Sequence, residues 1–398
     1  MAAPKLPQGR PPGLLRMGKL VLFVGGGLAL ALAVFWWAGL PNLTIPFAAG
    51  KVSARALKPS YVGSSSCREC HPGESAHFSR SGHARILRPA AGTPLARKLN
   101  GRVVADPEEP SVHWAYALLG DEFGVTRSSS AGEVERFVID YAFGSDHHAT
   151  TFVSLAGSNR LPALEHRLTH YSSDDVFDVT PGQSAGKPYP GTTPRGRVLP
   201  DWEARACFRC HTTRISAARG DVLKTDEMIP NVSCERCHGP GSAHVASARA
   251  GAAELSMPFG PGRWTSETQM ALCGKCHRHP SEALPGRLRP ELPALARFQP
   301  IGIMQSKCYQ SSAGGLSCVN CHDPHARASS DRASYEAACL HCHEAEPRIP
   351  CPVSPVSGCL ACHMPRVDTG QRVYFTDHWI RVRTAGDPPS APTSRSRP

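Results

Sequence analysis

No cysteine pair in this 398-residue chain lacks a following histidine, and none sits in an alternation of strand and helix. The first absence excludes ribbon-type zinc sites, which take two pairs per metal and no attached histidine. The second excludes the thioredoxin-like use of Cys-x-x-Cys. A constant repeat length is missing as well. Intervals between successive pairs run from 20 to 140 residues, so the pairs do not mark the units of a stacked solenoid.

What is present is one pentapeptide, Cys-x-x-Cys-His, seven times over. It occurs at Cys67-Cys70-His71, Cys207-Cys210-His211, Cys234-Cys237-His238, Cys273-Cys276-His277, Cys318-Cys321-His322, Cys339-Cys342-His343 and Cys359-Cys362-His363. In a c-type haem site the two thiols form thioethers with the porphyrin vinyls, and the adjacent imidazole reaches the iron. An odd number of pairs also cannot be divided into four-cysteine zinc sites. The reading is seven covalently bound c-type haems, each iron held on one side by its motif histidine.

The amino-terminal region fits export. Lys5, Arg10, Arg16 and Lys19 precede an uncharged apolar stretch from Leu20 to Leu40, with Trp36 and Trp37 near its outer end. A cleaved signal needs an apolar core of about 7 to 15 residues and a bilayer span about 20. Retention as a transmembrane anchor is therefore expected, with a long cleaved signal as the alternative. Basic residues before the stretch place residues 1–19 in the cytoplasm and the rest outside the inner membrane, in the periplasm. Both haem attachment and disulfides belong to that compartment.

Charge reads differently once the cofactors are counted. The polypeptide carries +11, but seven ferric haems with two propionates apiece would remove roughly seven of those charges. The holoprotein is then near neutral, and nucleic acid is excluded as a partner class.

The motifs divide the chain unevenly. After the span at 20–40 comes a linker, 41–66, then a first haem segment, 67–100. Residues 101–200 hold no motif. Within them Ser111 to Leu119 and Glu133 to Phe143 alternate in the manner of strands, with Gly120 to Gly124 as a turn-rich connection. A small antiparallel β-rich insert and a Pro/Gly-rich loop are expected there. Six motifs crowd into 201–380, which leaves no room for an ordinary side-chain core, so the porphyrins must form the interior. Residues 381–398, rich in Pro, Ser, Thr and Arg, read as a disordered tail. The expected fold is mainly α with much irregular structure, a small β insert and an N-terminal transmembrane helix.

The second axial position separates a wire from an enzyme, because a haem with two histidines is saturated and one with an open face can bind substrate. Twelve of the 19 histidines lie outside the proximal positions, enough to fill seven.

Cys67 to His83 (CRECHPGESAHFSRSGH), Cys234 to His244 (CERCHGPGSAH), Cys318 to His325 (CVNCHDPH) and Cys359 to Pro365 (CLACHMP) resemble the multihaem cytochrome c superfamily. That superfamily includes cytochrome c-552/554-type domains, hydroxylamine oxidoreductase, pentahaem nitrite reductase and octahaem tetrathionate reductase. The resemblance covers roughly 61–380, and takes in Gly144 to His148 and Thr180 to Gly182. It implies distal ligand roles for His83, His244, His325 and His378, each on the haem of a neighbouring motif. It implies the same, less directly, for His148, with His147 as competitor.

Two departures matter. No Cys-x-x-Cys-Lys occurs, which disfavours nitrite reduction of the pentahaem type, and seven motifs fall one short of the octahaem enzymes. Cys308 and Cys351 stand outside the motifs. A disulfide between them is expected in an oxidising compartment, with a thiolate role for Cys308 as the alternative. The functional expectation is a relay passing single electrons from a quinol-linked donor to a periplasmic or outer-membrane acceptor. The alternative is a multihaem oxidoreductase acting on a small nitrogen or sulfur oxyanion at one open-faced haem.

Overall fold

The computed structural model describes residues 58–388 and Ser390, apart from 158–160, 217–222, 254–256, 258–263, 284–285, 345–350, 354–356 and 371. Eleven strands precede the second motif: β1 Leu87–Pro89, β2 Val103–Ala105, β3 His113–Leu119, β4 Glu122–Ser128, β5 Val134–Val138, β6 Tyr141–Phe143, β7 Ala149–Leu155, β8 Ala163–Tyr171, β9 Val176–Val179, β10 Thr192–Thr193 and β11 Gly196–Leu199. They form a four-stranded sheet, β2-β3-β4-β5, and a seven-stranded sheet, β1-β6-β7-β8-β11-β10 with β9 on β8. All these ladders are antiparallel.

This corrects the expectation of a mainly α chain with a small insert: the fold is mixed, and sheet dominates everything between the first and second motifs. The physical reason lies in β7 and β8. In β8 the six residues His166 to Tyr171 are all buried, yet His166, Arg167, Thr169 and His170 are polar, so no apolar alternation marks the strand. Each of these polar side chains has a hydrogen-bonding partner instead. Ser154 Oγ lies 2.6 Å from His166 Nε2, and Thr169 Oγ1 bonds Thr151 at 2.8 Å and Thr180 at 2.9 Å. Arg167 meets Asp106 at 3.2 Å and Glu108 at 2.7 Å. The stretch Glu133 to Phe143, read as one strand, divides into β5 and β6 of different sheets. The turn-rich connection is a two-residue hairpin, Gly120-Asp121, because Leu119 pairs with Glu122. Gly120 has φ +60°, a conformation that costs glycine nothing.

One core lies between the two sheets, where Trp114, Tyr116, Phe123, Phe152, Leu168 and Phe177 pack with Leu95 and Leu99 from helix Pro94–Leu99. A second core covers the other side of the seven-stranded sheet and positions the second motif. Phe208 of helix Asp201–His211 lodges edge-on against Tyr141 and Phe143, at ring distances of 5.3 and 5.2 Å. Arg197 on β11 holds the same helix through Glu203, with bonds of 2.8 and 2.6 Å.

Short helices carry the remaining motifs, and β12 Thr212–Arg214 pairs with β13 Ile229–Pro230 between motifs two and three. Near the carboxyl end β14 Arg366–Asp368 pairs with β15 Tyr374–Thr376. Arg372 in their connection reaches back to Asp178 at 2.7 Å and Asp174 at 3.3 Å. Arg381 and Arg383 bind Asp377 at 2.9 and 3.0 Å. The beginning of the expected tail is thus tied into the fold, while 391–398 lie outside the described residues. The expected transmembrane helix at Leu20–Leu40, the preceding 1–19 and the linker up to residue 57 lie outside them too, and no described helix is long and apolar enough to cross a membrane.

Candidate haem-binding site

Six of the seven motifs sit at the carboxyl ends of short α-helices: Gly63–Cys70, Asp201–His211, Cys234–His238, Ser266–His277, Arg332–His343 and Cys359–His363. Cys318–Asn320 is a 3-10 turn. Helical spacing puts residues three apart on one face, so both thiols of a pair and the next histidine can address one flat group. The motifs converge on a single cavity of 3410 Å³, lined by all seven motif histidines and every motif cysteine except Cys207. A pocket for one small ligand occupies about 300 to 1,000 Å³, so this space suits several large cofactors. Its wall is largely apolar, with Phe78, Trp264, Ile303 and Leu316 among the lining residues.

The donor set fits haem and not a protein-built metal cage. Among the described residues no group of three or more His, Cys, Asp or Glu side chains could hold a metal ion by itself. Haem brings four nitrogens of its own and asks the protein only for axial ligands.

Histidines that could supply them stand in pairs across the cavity. His71 faces His244 with ring centroids 6.4 Å apart, His277 faces His83 at 6.2 Å, His238 faces His325 at 6.1 Å and His322 faces His378 at 6.1 Å. A metal–nitrogen bond of about 2 Å on each side, plus about 1 Å from nitrogen to ring centre, separates two imidazoles on one iron by about 6 Å. In all four pairs the non-motif histidine comes from the segment following a different motif: His244 follows the third, His83 the first and His325 the fifth. His378 follows the seventh and faces the fifth.

Four of the histidines lining the cavity are also held in the ligand tautomer by partners at Nδ1, the arrangement that leaves Nε2 for the metal. His211 Nδ1 lies 3.2 Å from the Ile86 carbonyl, His277 Nδ1 3.1 Å from Gln299 Oε1, His363 Nδ1 3.0 Å from the Arg381 carbonyl and His378 Nδ1 2.9 Å from the Thr376 carbonyl. Burial favours the neutral imidazole at His83, His211, His322 and His378. It pushes His378 down to about 4, and lowers His83 with help from the neighbouring His277.

His148 lines the cavity, and burial together with Arg327 and Arg366 lowers its pKa. His147 is not in the lining; it bonds the Arg80 carbonyl, and its buried Nε2 has no partner. Among the described residues no second imidazole faces His211, His343 or His363 at the 6 Å spacing. His166 and His170 belong to the β core, and His279 caps its own turn through Ser281.

Motifs distant in sequence touch. The thiols of Cys67 and Cys234, of Cys210 and Cys276, and of Cys273 and Cys318 are hydrogen-bonding neighbours. The first motif therefore lies against the third, with residues 87–199 looped out between them. Among the described residues no disulfide joins Cys308 to Cys351, where one was expected. Cys308 neighbours Cys342 and Cys351 neighbours Cys359. Burial raises the pKa of Cys308, which opposes a thiolate role.

The family model for cytochrome c554 and c-prime matches residues 196–239, from β11 through the second and third motifs. This chain is a multihaem c-type cytochrome. Among solved structures, the outer cell wall cytochrome OcwA is similar to it with a TM-score of 0.44 and 13% identity, over 81% of this chain and 79% of that one. Comparison with curated proteins finds no match.

Proposed function

We propose that this cytochrome binds seven haems covalently and relays single electrons from a quinol-linked donor to a periplasmic or outer-membrane acceptor. The observation that carries the reading is the set of four imidazole pairs at 6.1 to 6.4 Å. Bound haem supplies one-electron redox chemistry at an iron whose potential follows its axial ligands and burial. The protein's part is to hold both axial nitrogens neutral and fixed, so that charge can pass without ligand exchange. Thiol neighbours between motifs one and three, two and four, and four and five keep successive sites adjacent. Export to the periplasm and attachment to the inner membrane rest on the basic and apolar character of residues 1–40 alone.

A second reading is favoured by His211, His343 and His363, which no second imidazole faces among the described residues. Any of these sites would leave one axial position for a small nitrogen or sulfur oxyanion, as in an oxidoreductase.

Electron paramagnetic resonance of the oxidised protein, calibrated to haem content, separates the two. A relay with every iron doubly ligated gives low-spin ferric signals only and binds neither cyanide nor nitric oxide. A stoichiometric high-spin signal with cyanide binding favours the oxidoreductase. A haem content well below seven per chain overturns the stated number.

A further inference from the structure

Haem attachment dictates the cysteines and the histidine of each motif and leaves the two intervening residues chemically free. In the third motif those residues are Glu235 and Arg236, and both reach out to other motifs. Glu235 is 2% exposed. Its carboxylate accepts three backbone N–H bonds, from Val62 at 2.9 Å, Gly63 at 2.9 Å and Gly241 at 2.8 Å.

Val62 and Gly63 open helix Gly63–Cys70, which carries the first motif and has no side-chain cap of its own. The first amides of a helix have no partner within it, and a carboxylate there meets the positive end of the helix dipole. Glu235 thus caps the first motif's helix from a position some 170 residues away in sequence. Arg236 points to two further motifs: its Nη2 donates to the Arg209 carbonyl of the second at 3.0 Å and reaches Cys276 Sγ of the fourth at 3.7 Å.

The contrast with Glu69, the glutamate at the second intervening position of the first motif, isolates what is special. Glu69 makes one exposed ion pair with Arg249, at 2.7 Å, and contacts no other motif through it. The device recurs at the seventh motif in a more exposed form, where Glu336 on helix Arg332–His343 accepts from Gly358 at 3.0 Å and Leu360 at 3.4 Å.

We propose that Glu235 and Arg236 are positioning residues, which dock the third motif onto the first, second and fourth and thereby set haem-to-haem spacing at this junction. The proposal rests on the haem reading above. Charge-assisted bonds from a carboxylate to amides are among the stronger ones, and truncation strands three donors, the Gly241 amide in a buried position. The buried carboxylate also places negative charge beside two haem sites, which favours their oxidised state.

The test uses the full-length holoprotein with Glu235→Ala, Glu235→Asp, Arg236→Ala and the control Glu69→Ala. Intact mass of the wild type comes first. If the third motif carries no haem there, the haem reading itself has failed, separately from this proposal. Expected in Glu235→Ala are faster amide exchange at Val62, Gly63 and Gly241, a shift of part of the redox titration to higher potential, and electron equilibration after flash reduction slowed by about tenfold, the lower end for loss of a supporting hydrogen-bond partner. Arg236→Ala slows equilibration with a smaller shift in potential, Glu235→Asp restores part of the wild-type titration, and Glu69→Ala alters nothing. An unchanged titration in Glu235→Ala, or an equal change in Glu69→Ala, overturns the proposal. Should Glu235→Ala fail to assemble, the wild type decides: rapid exchange of Val62 and Gly63 amides there also overturns it.

Discussion

Residues 87–199 and the motif-bearing segments around them solve the same problem, an interior shielded from water, with different material. In the sheet region large side chains fill the space: Trp114, Phe123 and Phe152 are at most 1% exposed, and Tyr116 stacks on Phe177 at a ring distance of 5.1 Å. In the motif region helices Gly63–Cys70, Ser242–Arg249, Arg332–His343 and Cys359–His363 contain no buried residue at all. Their inward faces line the 3410 Å³ cavity instead. Helix Asp201–His211 belongs to both, because Ala204 and Phe208 complete a side-chain core while His211 enters the cavity wall. A chain can thus leave its own core unbuilt where a covalent cofactor supplies the apolar bulk, provided another part folds on side chains alone.

The sharpest break of this comparison is to withhold haem. Chain expressed without c-type attachment should keep slow amide exchange in 87–199 and lose it across the motif helices; protection retained by Arg332–His343 would show that the motif region has a core of its own. Next in size is Arg167→Ala, which leaves the Asp106 carboxylate, 4% exposed, without its ion pair. Breaking a buried pair costs about 3–5 kcal/mol. The slowest amides of β3 and β8 should report that loss while the haem absorption spectrum stays unchanged, and a spectral change would mean the two interiors are coupled.

The smallest effect is one of pH. Burial pushes His166 from 6.5 down to about 4. The unfolded chain gains a proton as pH falls below 6.5 and the folded chain does not until about 4, so stability is full above this window and declines through it. The loss amounts to about 3 kcal/mol. His166→Gln should flatten that part of the pH profile of β8 amide exchange, and an unaltered slope would remove His166 as the cause.

How much of this was legible in the sequence follows the same division. The motif residues were readable because attachment chemistry demands a fixed local string. His83, His244, His325 and His378 could be named from the segments around them, but not the motif each would face. His148 was named alike, and it reaches the cavity without standing opposite an imidazole. The extent of sheet was missed because β8 buries His166, Arg167, Thr169 and His170, whose pairing with Ser154, Asp106, Thr151 and Asp175 is invisible to a hydrophobic period. Composition did not reveal that the start of the tail is tied down: Arg381 is charged and solvated in isolation, but here it joins Asp377 and Asp387 and its carbonyl accepts from His363. Glu235 and Glu69 are both glutamates inside a Cys-x-x-Cys pair, one at the first intervening position and one at the second, and their tertiary partners alone tell the clamp from the surface residue.

By itself, then, the sequence determined the cofactor chemistry, since thioether attachment and proximal ligation need cysteine and histidine within five consecutive positions. Tertiary structure alone decided which imidazole stands opposite which, that the first motif lies on the third, and which polar side chains could be buried. Those outcomes depend on contacts between segments tens to hundreds of residues apart. Such contacts form when the interiors are filled, and they leave no period or spacing in the chain to announce them.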